Sequence, residues 1–380
     1  MAVAQNSDPE VTFREAQNAQ QTGDYAAAAE KYQQLTMLHP ELVSAHANLG
    51  VVLVQLGRYD EAIAQYNVAL TQVPDNPALR LNLALAYYKK GDFAAAAAQF
   101  AGLNKEKPSD VRISTLLGNC ELKIGLVDQA IALLQPLEAS NPNNLDLVWA
   151  LGTALLRKNQ SLEGLKLIQR VADQAKNNVE AYQYAANISL GLTLFDEAKR
   201  DAEAVIRLKP DSPKAYVVLG MIDDYASDPK QAIQDYSKAI ELDPKDVQAR
   251  TQLTSALIRD KRYDDARKQA GQVLALDPNS TAAHYLVAQV EQAQGSWEAA
   301  AQQLETVVQQ NPDWLLPHVQ LSALYYRLKK PEDGAKEKAI VDRLREGEQK
   351  RRSETEEIHP QIPTQVINPD LPAKSPSPPH

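Results

Sequence analysis

The chain has 380 residues, 44% of them hydrophobic and only 6% aromatic, with a formal net charge of −9. That length allows two or three ordinary domains, and an abundance of alanine, leucine and glutamine favours helices over strands. The acidic balance argues against a nucleic-acid groove, which needs clustered lysine and arginine to displace counterions. No apolar run reaches the roughly 18 residues that cross a bilayer. The single cysteine, Cys120, excludes a disulfide within the sequence and leaves the redox compartment open.

The first residues, MAVAQNSDPE, contain no apolar core of a signal peptide. Ala2-Val3-Ala4 has the small-x-small form left ahead of a signal-peptidase cut, so a leader removed before Gln5 and a plain alanine-rich start both fit. Export to the periplasm and a cytoplasmic location both stay open on this reading.

From residue 9 the chain repeats itself. GRYDEAIAQY at 57–66 returns as GDFAAAAAQF at 91–100 and as GSWEAAAQQL at 295–304. Pro40, Pro74, Pro108 and Pro142, then Pro210, Pro244, Pro278 and Pro312, stand 34 residues apart except for one double gap, where Lys176 takes the missing place. Counting each proline as place 32 of a unit gives ten units, starting at Pro9, Val43, Pro77, Val111, Leu145, Val179, Pro213, Val247, Thr281 and Leu315. Place 8 is always small, place 20 is alanine or glycine, and place 27 is always apolar. Places 4, 7, 8 and 11 share one helix face, and places 20, 24 and 27 share another, so each unit is predicted to be two amphipathic helices. Glycine at place 15 (Gly23, Gly57, Gly91, Gly125 and Gly295) suits the turn between them. Proline at place 32 stops the second helix. The stretches SDPE and DSPK are predicted to cap the next helix, with proline at its first position.

This pattern resembles the tetratricopeptide-repeat family over residues 9–348, in the manner of its bacterial multi-repeat members. The stretch AHANLGVVLVQLGRYDEAIAQYNVALTQVPDN at 45–76 is close to a consensus unit of that family. The resemblance implies an all-α fold, a right-handed α-solenoid of about ten helix-turn-helix repeats. It would follow an N-terminal extension of residues 1–8 and precede a charged, then proline-rich, disordered tail over 349–380. One helix pair cannot bury its apolar face alone, so stacked pairs are expected to build one continuous core.

Two units depart from the pattern. The unit from Leu145 has Asn159, Gly164 and Lys176 where glycine, alanine and proline are usual, and the unit from Pro213 has Asp223 at a usually apolar place. Residues 155–178 and 222–230 are expected to be softer joints, unless neighbouring residues compensate. The final second helix, PEDGAKEKAIVDRLREGEQKRR, is heavily charged and reads as a solvating cap. Beyond Ser353 the proline-rich stretch has no helical period and reads as disordered or as a polyproline-type ligand.

Catalytic signals are missing from the sequence. It holds no glycine-rich phosphate loop, no paired-cysteine metal motif and no serine–histidine–aspartate arrangement that adjoining units would assemble. No catalytic residue, metal or cofactor is therefore expected. His46, His284 and His318 all occupy place 4 and read as packing residues rather than ligands. Cys120 reads as a small buried hydrophobe. Asp223 and Asp224 are adjacent, so they point to different sides of a helix and should not form a catalytic dyad.

Binding remains. The family resemblance implies that the first helices line a concave surface through places 2, 5, 6, 9, 12 and 13. Those places hold Asn48 in the second unit and Asn82, Tyr88 and Lys89 in the third. The fourth offers Arg112, Asn119 and Lys123, and the fifth Trp149 and Arg157. Tyr184 and Asn187 follow in the sixth, and Tyr225 in the seventh. Amides can pair with a peptide backbone and aromatics bury area at low entropy cost, so this trough suits an extended peptide. The family's carboxylate clamp is not fulfilled: Asn82 and Arg112 hold two of its places, but Leu81, Ala47 and Leu116 fill others. An asparagine ladder at place 6 is limited to Asn48 and Asn82.

The sequence thus points to a non-enzymatic protein–protein interaction scaffold that holds a peptide segment or partner helix of unidentified origin. A self-assembling structural protein, or the recognition arm of an enzyme whose catalytic subunit is another chain, is the alternative. Base-by-base RNA reading is disfavoured by the acidic charge. The register itself makes a prediction: Ala62→Leu or Ala130→Leu should overpack a helix pair and cost about 1–3 kcal/mol. An unchanged melting curve in circular dichroism would contradict it.

Overall fold

The computed structural model describes residues 8–358, with side chains through Lys350. The alanine-rich start and the proline-rich stretch from His359 lie outside the described residues. Among the described residues there are twenty helices and no strand. The first helices of the ten units are α1 (Pro9–Gln21), α3 (Val43–Gln55), α5 (Pro77–Lys90), α7 (Val111–Lys123), α9 (Leu145–Arg157), α11 (Val179–Gly191), α13 (Pro213–Tyr225), α15 (Val247–Arg259), α17 (Thr281–Ala293) and α19 (Leu315–Arg327). Each begins at the residue the proline register predicts. The second helices are α2 (Tyr25–Leu38), α4 (Tyr59–Gln72), α6 (Phe93–Glu106), α8 (Val127–Ser140), α10 (Ser161–Ala175), α12 (Phe195–Leu208), α14 (Pro229–Leu242), α16 (Tyr263–Leu276), α18 (Trp297–Gln310) and α20 (Pro331–Ile358).

The chain divides into two compact units between Ala175 and Lys176. In the first, every helix from α1 to α10 packs on the next; α3 also meets α5, and α7 meets α9. In the second, α11 to α20 pack in succession, and α11 meets α13, α13 meets α15, and α15 meets α17. No two even-numbered helices meet to the same extent among the described residues. Within each unit the odd helices therefore form the inner, more crowded layer.

Size matching holds each pair together. A Cβ added to Gly50 would lie 2.5 Å from the Tyr66 ring, and one on Gly220 would lie 2.6 Å from the Tyr236 ring. On Gly118 it would lie 2.8 Å from the Leu134 side chain. Small place 8 is thus the imprint of a large place 24 in the same pair. Where place 8 is filled by the buried Thr254, place 24 shrinks to the buried Ala270. Place 20 marks where backbones approach: a Cβ on Gly164 would lie 2.9 Å from the carbonyl oxygen of Gly152. Ala62 and Ala130 occupy this place and are fully buried, as the register requires.

The turn inside each pair has one geometry throughout. The amide at place 16 donates to the carbonyl at place 11 in all ten units, from Asp24 to Ala19 (2.9 Å) through to Lys330 to Tyr325 (2.8 Å). This bond closes a Schellman turn, which needs a left-handed residue at place 15. The five glycines provide it, and Asn159 (φ 62°), Thr193 (59°), Ser227 (61°), Lys261 (61°) and Lys329 (59°) adopt it without being glycine.

The turns between pairs are tied by place 4. Nε2 of His46, His284 and His318 lies 3.1, 3.1 and 3.0 Å from the carbonyl oxygens of Pro40, Pro278 and Pro312. Nδ1 of the same rings meets place 23 of the partner helix, at Gln65 (2.7 Å), Gln303 (2.7 Å) and Glu337 (2.6 Å). Arg80 and Arg250 donate to the carbonyls of Pro74 (3.0 Å) and Pro244 (2.7 Å) in the same way. In these five units place 4 thus satisfies the proline carbonyl at the end of the preceding pair, so these histidines read as ties rather than metal ligands.

Three details differ from the sequence reading. Asp8 caps α1 by accepting from the amide of Glu10 (3.0 Å), but Ser212 before Pro213 makes no side-chain cap bond. Ser212 is buried, and its own amide closes the loop on the carbonyl of Lys209 (3.2 Å). Without a proline, α10 runs to 15 residues rather than the usual 14, and Lys176 turns the chain with φ of 50°. Helix α20 continues past residue 348 to Ile358.

A β-branched threonine in the left-handed region costs about 1–2 kcal/mol, partly offset in the unfolded chain. Thr193→Gly should therefore stabilise the second unit by about 0.5–1 kcal/mol, and Gly57→Thr should destabilise the first by about 1–2 kcal/mol. Urea unfolding of each variant checks both signs.

Candidate partner-binding surface

The inner layer presents the residues proposed for binding. On α3, Asn48 is half-buried and lines a cleft of about 310 Å³ with Gln17, Gln20, Tyr25, Tyr32 and Gln55 among its walls. On α5, Asn82 and Tyr88 are half-buried and Lys89 is exposed. Tyr88 meets Phe93 edge to face, with ring centroids 5.5 Å apart. On α7, Arg112 and Lys123 are exposed and Asn119 is half-buried, and the Lys123 ammonium lies 5.8 Å from the centre of the Phe93 ring. On α9, Trp149 is half-buried, and Arg157 is exposed and donates to the carbonyl of Leu122. The structure thus brings Tyr88, Lys123 and Arg157 into one group around Phe93 and Leu122, while Asn48 belongs to a separate cleft.

In the second unit, Tyr184 and Asn187 are half-buried on α11, and Gln183 donates to the Asn187 side chain (3.4 Å). Tyr225 is 62% exposed at the end of α13, where its ring lies 5.0 Å from that of Phe195. It borders a cleft of about 250 Å³ with Met221, Asp224, Tyr236, Gln252 and Arg259.

These two clefts are the same site in the repeat. Each lies between consecutive pairs and draws on places 9, 12, 13 and 24 of one pair and places 6 and 13 of the next. Each has at its base a buried tyrosine hydroxyl bonded to an acceptor at place 12: Tyr32 to Gln20 (3.1 Å) and Tyr236 to Asp224 (2.9 Å). Asp224 also holds the Arg259 guanidinium. The first cleft is lined by neutral amides and tyrosines, the second by an ion pair.

Place 13 recurs as a stacking position on the aromatic residue at place 17 of the pair before it. Lys123 on Phe93, Tyr225 on Phe195 and Arg327 on Trp297, the last at 3.6 Å, all follow this rule. Cation and ring attract through the ring quadrupole, so this contact contributes to stacking as well as to any binding surface.

Three other groups bear on chemistry. The thiol of Cys120 is fully buried, and burial pushes its pKa up to about 12, which leaves it without a nucleophilic thiolate. Asp223 and Asp224 do diverge: Asp224 turns to Tyr236 and Arg259, while Asp223 turns to Asp235 on α14. A carboxyl pair therefore exists that adjacency in sequence did not reveal. Burial, then a hydrogen bond to Asp223 and repulsion from it, raise Asp235 to about 6, with Lys199 opposing. Among the described residues no group of three or more histidine, cysteine, aspartate or glutamate side chains is placed to hold a metal ion, and no helix is long and apolar enough to cross a membrane.

The repeat register agrees with known families. A tetratricopeptide-repeat family model matches residues 13–77, and a second model of the same description matches residues 53–120 and 225–290. The chain is a tetratricopeptide-repeat protein. Over 112 residues it is 30% identical to Superkiller protein 3 of Schizosaccharomyces pombe, a match over 30% of this chain and 8% of that protein. Over 133 residues it is 26% identical to the DnaJ homolog subfamily C member 7 homolog of the same yeast, covering 32% of this chain and 28% of that one. The matched stretches are thus a small part of either relative. A solved tetratricopeptide repeat protein from Parabacteroides merdae is similar over 66% of this chain and 98% of its own, with 17% identity and a TM-score of 0.49.

Reading the tetratricopeptide-repeat places unit by unit overlooked Gln17, Gln20 and Gln55 in the first cleft and Gln252 and Arg259 in the second. The signal was present: Gln252 is at place 6 and Arg259 at place 13 of the eighth unit, the same register that selected Asn48 and Tyr225. Asp224 and Tyr236 show only as a polar residue at place 12 opposite a tyrosine at place 24.

The Asp223–Asp235 pair has a pH signature. A carboxyl raised in the fold binds its proton more tightly there than in the unfolded chain. The fold is therefore most stable with Asp235 protonated, and loses that stability as pH rises from the ordinary value of 3.8 through about 6. Because the group is partly solvated, Asp235→Asn should stabilise the second unit by only about 1 kcal/mol at pH 7. The gain should vanish near pH 4 in thermal melts.

Proposed function

We propose that this chain is a non-enzymatic scaffold whose odd-helix face holds an extended peptide segment or a partner helix. The observation that carries this reading is the repetition of one cleft in both units, between consecutive odd helices, with amide, hydroxyl and aromatic groups around each. Such groups can satisfy a peptide backbone and bury its side chains with little loss of entropy. The deeply buried Cys120 thiol and the histidines engaged with loop carbonyls read as packing and tie residues rather than reactive groups. Tyr88, Lys123 and Tyr225 each have a packing role as well, so their loss would affect stacking and binding together.

Affinity capture from native extract, with the whole chain as bait, tests the reading. The comparison is a variant with Asn48→Ala, Asn82→Ala, Trp149→Ala, Tyr184→Ala and Tyr225→Ala, whose helical signal and melting temperature are measured first. A partner retained by the parent and lost by the folded variant is the expected result. Equal capture by both would move the site off the odd-helix face, and sedimentation showing only self-association would favour the assembly alternative.

A further inference from the structure

The first cleft is built from one kind of polar side chain. Places 9, 12 and 13 of the first repeat hold Gln17, Gln20 and Gln21, and places 6 and 13 of the second hold Asn48 and Gln55. All five places therefore carry a primary amide, and no other two consecutive repeats do this. The same places hold Leu85, Tyr88, Lys89, Leu116 and Lys123 in the third and fourth repeats. In the second cleft they hold Met221, Asp224, Tyr225, Gln252 and Arg259. Stacking alone therefore does not call for amides there.

No charged residue lines the first cleft, whose other walls are Tyr25, Tyr32 and Val51. On the flanking helices, Lys31 pairs with Glu15 (2.5 Å) and Arg58 with Glu61 (2.6 Å). At the base, the Tyr32 hydroxyl donates to Gln20 Oε1, which leaves the Gln20 amide nitrogen to donate into the cleft it lines. Among the described residues, the side chains of Gln17, Gln21, Asn48 and Gln55 make no hydrogen bond. Their donors and acceptors are open to a ligand.

We propose that the first cleft is a glutamine-reading subsite, which takes the side-chain amide of a glutamine in the peptide held by the scaffold. This rests on the scaffold reading and names the chemistry that its first cleft selects. A primary amide offers two N–H donors and a carbonyl acceptor, so it pairs at two points with another primary amide. A carboxylate has no donor and an ammonium has no acceptor. Either would leave water here without an opposite charge to offset its desolvation. The two methylenes of a glutamine have Val51 and the half-buried Tyr25 beside them. A carbohydrate, the other ligand rich in neutral donors and acceptors, fits less well. It would stack on an open aromatic face, and both tyrosine rings here pack into the core of the first unit.

Fluorescence anisotropy with the full chain tests this. The probe is a labelled peptide of about 12 residues, roughly 40 Å when extended, with glutamine at every third place in a serine–glycine background. Its controls carry alanine, glutamate or lysine at those places. The glutamine peptide should bind about tenfold more tightly than any control, with little change as salt rises. Asn48→Ala should weaken it about threefold, and Gln17→Ala combined with Gln55→Ala about tenfold. Gln33→Ala combined with Gln34→Ala, which removes exposed glutamines of α2 outside the cleft, should leave affinity within about twofold. Gln17→Glu combined with Gln55→Glu should turn the preference from the glutamine peptide to the lysine peptide, a change that loss of folding would not produce.

Equal binding of the glutamine and alanine peptides, tighter binding of the glutamate peptide, or equal losses from the Gln33 and Gln34 variant would each overturn the proposal. So would a neutral oligosaccharide that displaces the probe at lower concentration than the unlabelled glutamine peptide. If the glutamine peptide fails while capture still depends on the substituted odd-helix residues, the scaffold stands and its first cleft does not read glutamine. If capture is also unchanged by those substitutions, the scaffold reading falls with it.

Discussion

Everything in this molecule depends on the fit between a small residue at place 8 and the bulky residue at place 24 of the same helix pair. Gly50 under Tyr66 and Gly220 under Tyr236 leave no room for even one methyl group. The fit sets how closely two helices approach, and that distance sets which residues reach the next pair. A repeat array has no other source of order, because each pair contacts only its neighbours and its stability is a sum of local and nearest-neighbour terms. The Schellman turn at place 15 and the place-4 ties to proline carbonyls then hold the pair in that geometry. They do so by pairing backbone groups that helix ends would leave unsatisfied.

Much of this was legible in the sequence because packing constraints are periodic. The proline register placed the start of every odd helix, and the small residues at places 8 and 20 marked the two close approaches. What was hidden shares a common physical cause: it depends on pairs of places rather than on one place. The left-handed turn is satisfied by glycine in five units and by Asn159, Thr193, Ser227, Lys261 and Lys329 in the others, so glycine alone reported half of it. The exchange of Thr254 and Ala270 keeps a volume constant while changing both residues. The Ser212 cap failed because a cap depends on where the side chain can turn, and Ser212 is buried.

The candidate site shows the same division. Asn48 and Tyr225 were found from their places, and both do border clefts. The tyrosine hydroxyls beneath those clefts were not found, since Tyr32 and Tyr236 come from even helices and read as core. Each ring fills the space left by its small partner, while its hydroxyl reaches past the odd helix to an acceptor at place 12. At Tyr32 and Tyr236, place 24 therefore carries the packing requirement out to the cleft. A leucine there, as at Leu134, fills the pair without presenting a polar group.

That coupling explains why individuality concentrates at a few places. Places 8, 20 and 27 face volume limits, place 15 faces a backbone limit, and place 4 reaches the proline carbonyl in five units. Place 13 stacks on place 17 of the pair before it or reaches place 12, as Arg157 and Arg259 do, and accepts lysine, arginine, tyrosine, glutamine, alanine or glycine in this one chain. A position whose contacts several side-chain types can make is free to vary from unit to unit. Where a charge appears at this end of an odd helix, a neighbouring pair can supply the counter-charge: Asp60 to Lys90, Asp128 to Lys158 and Asp224 to Arg259.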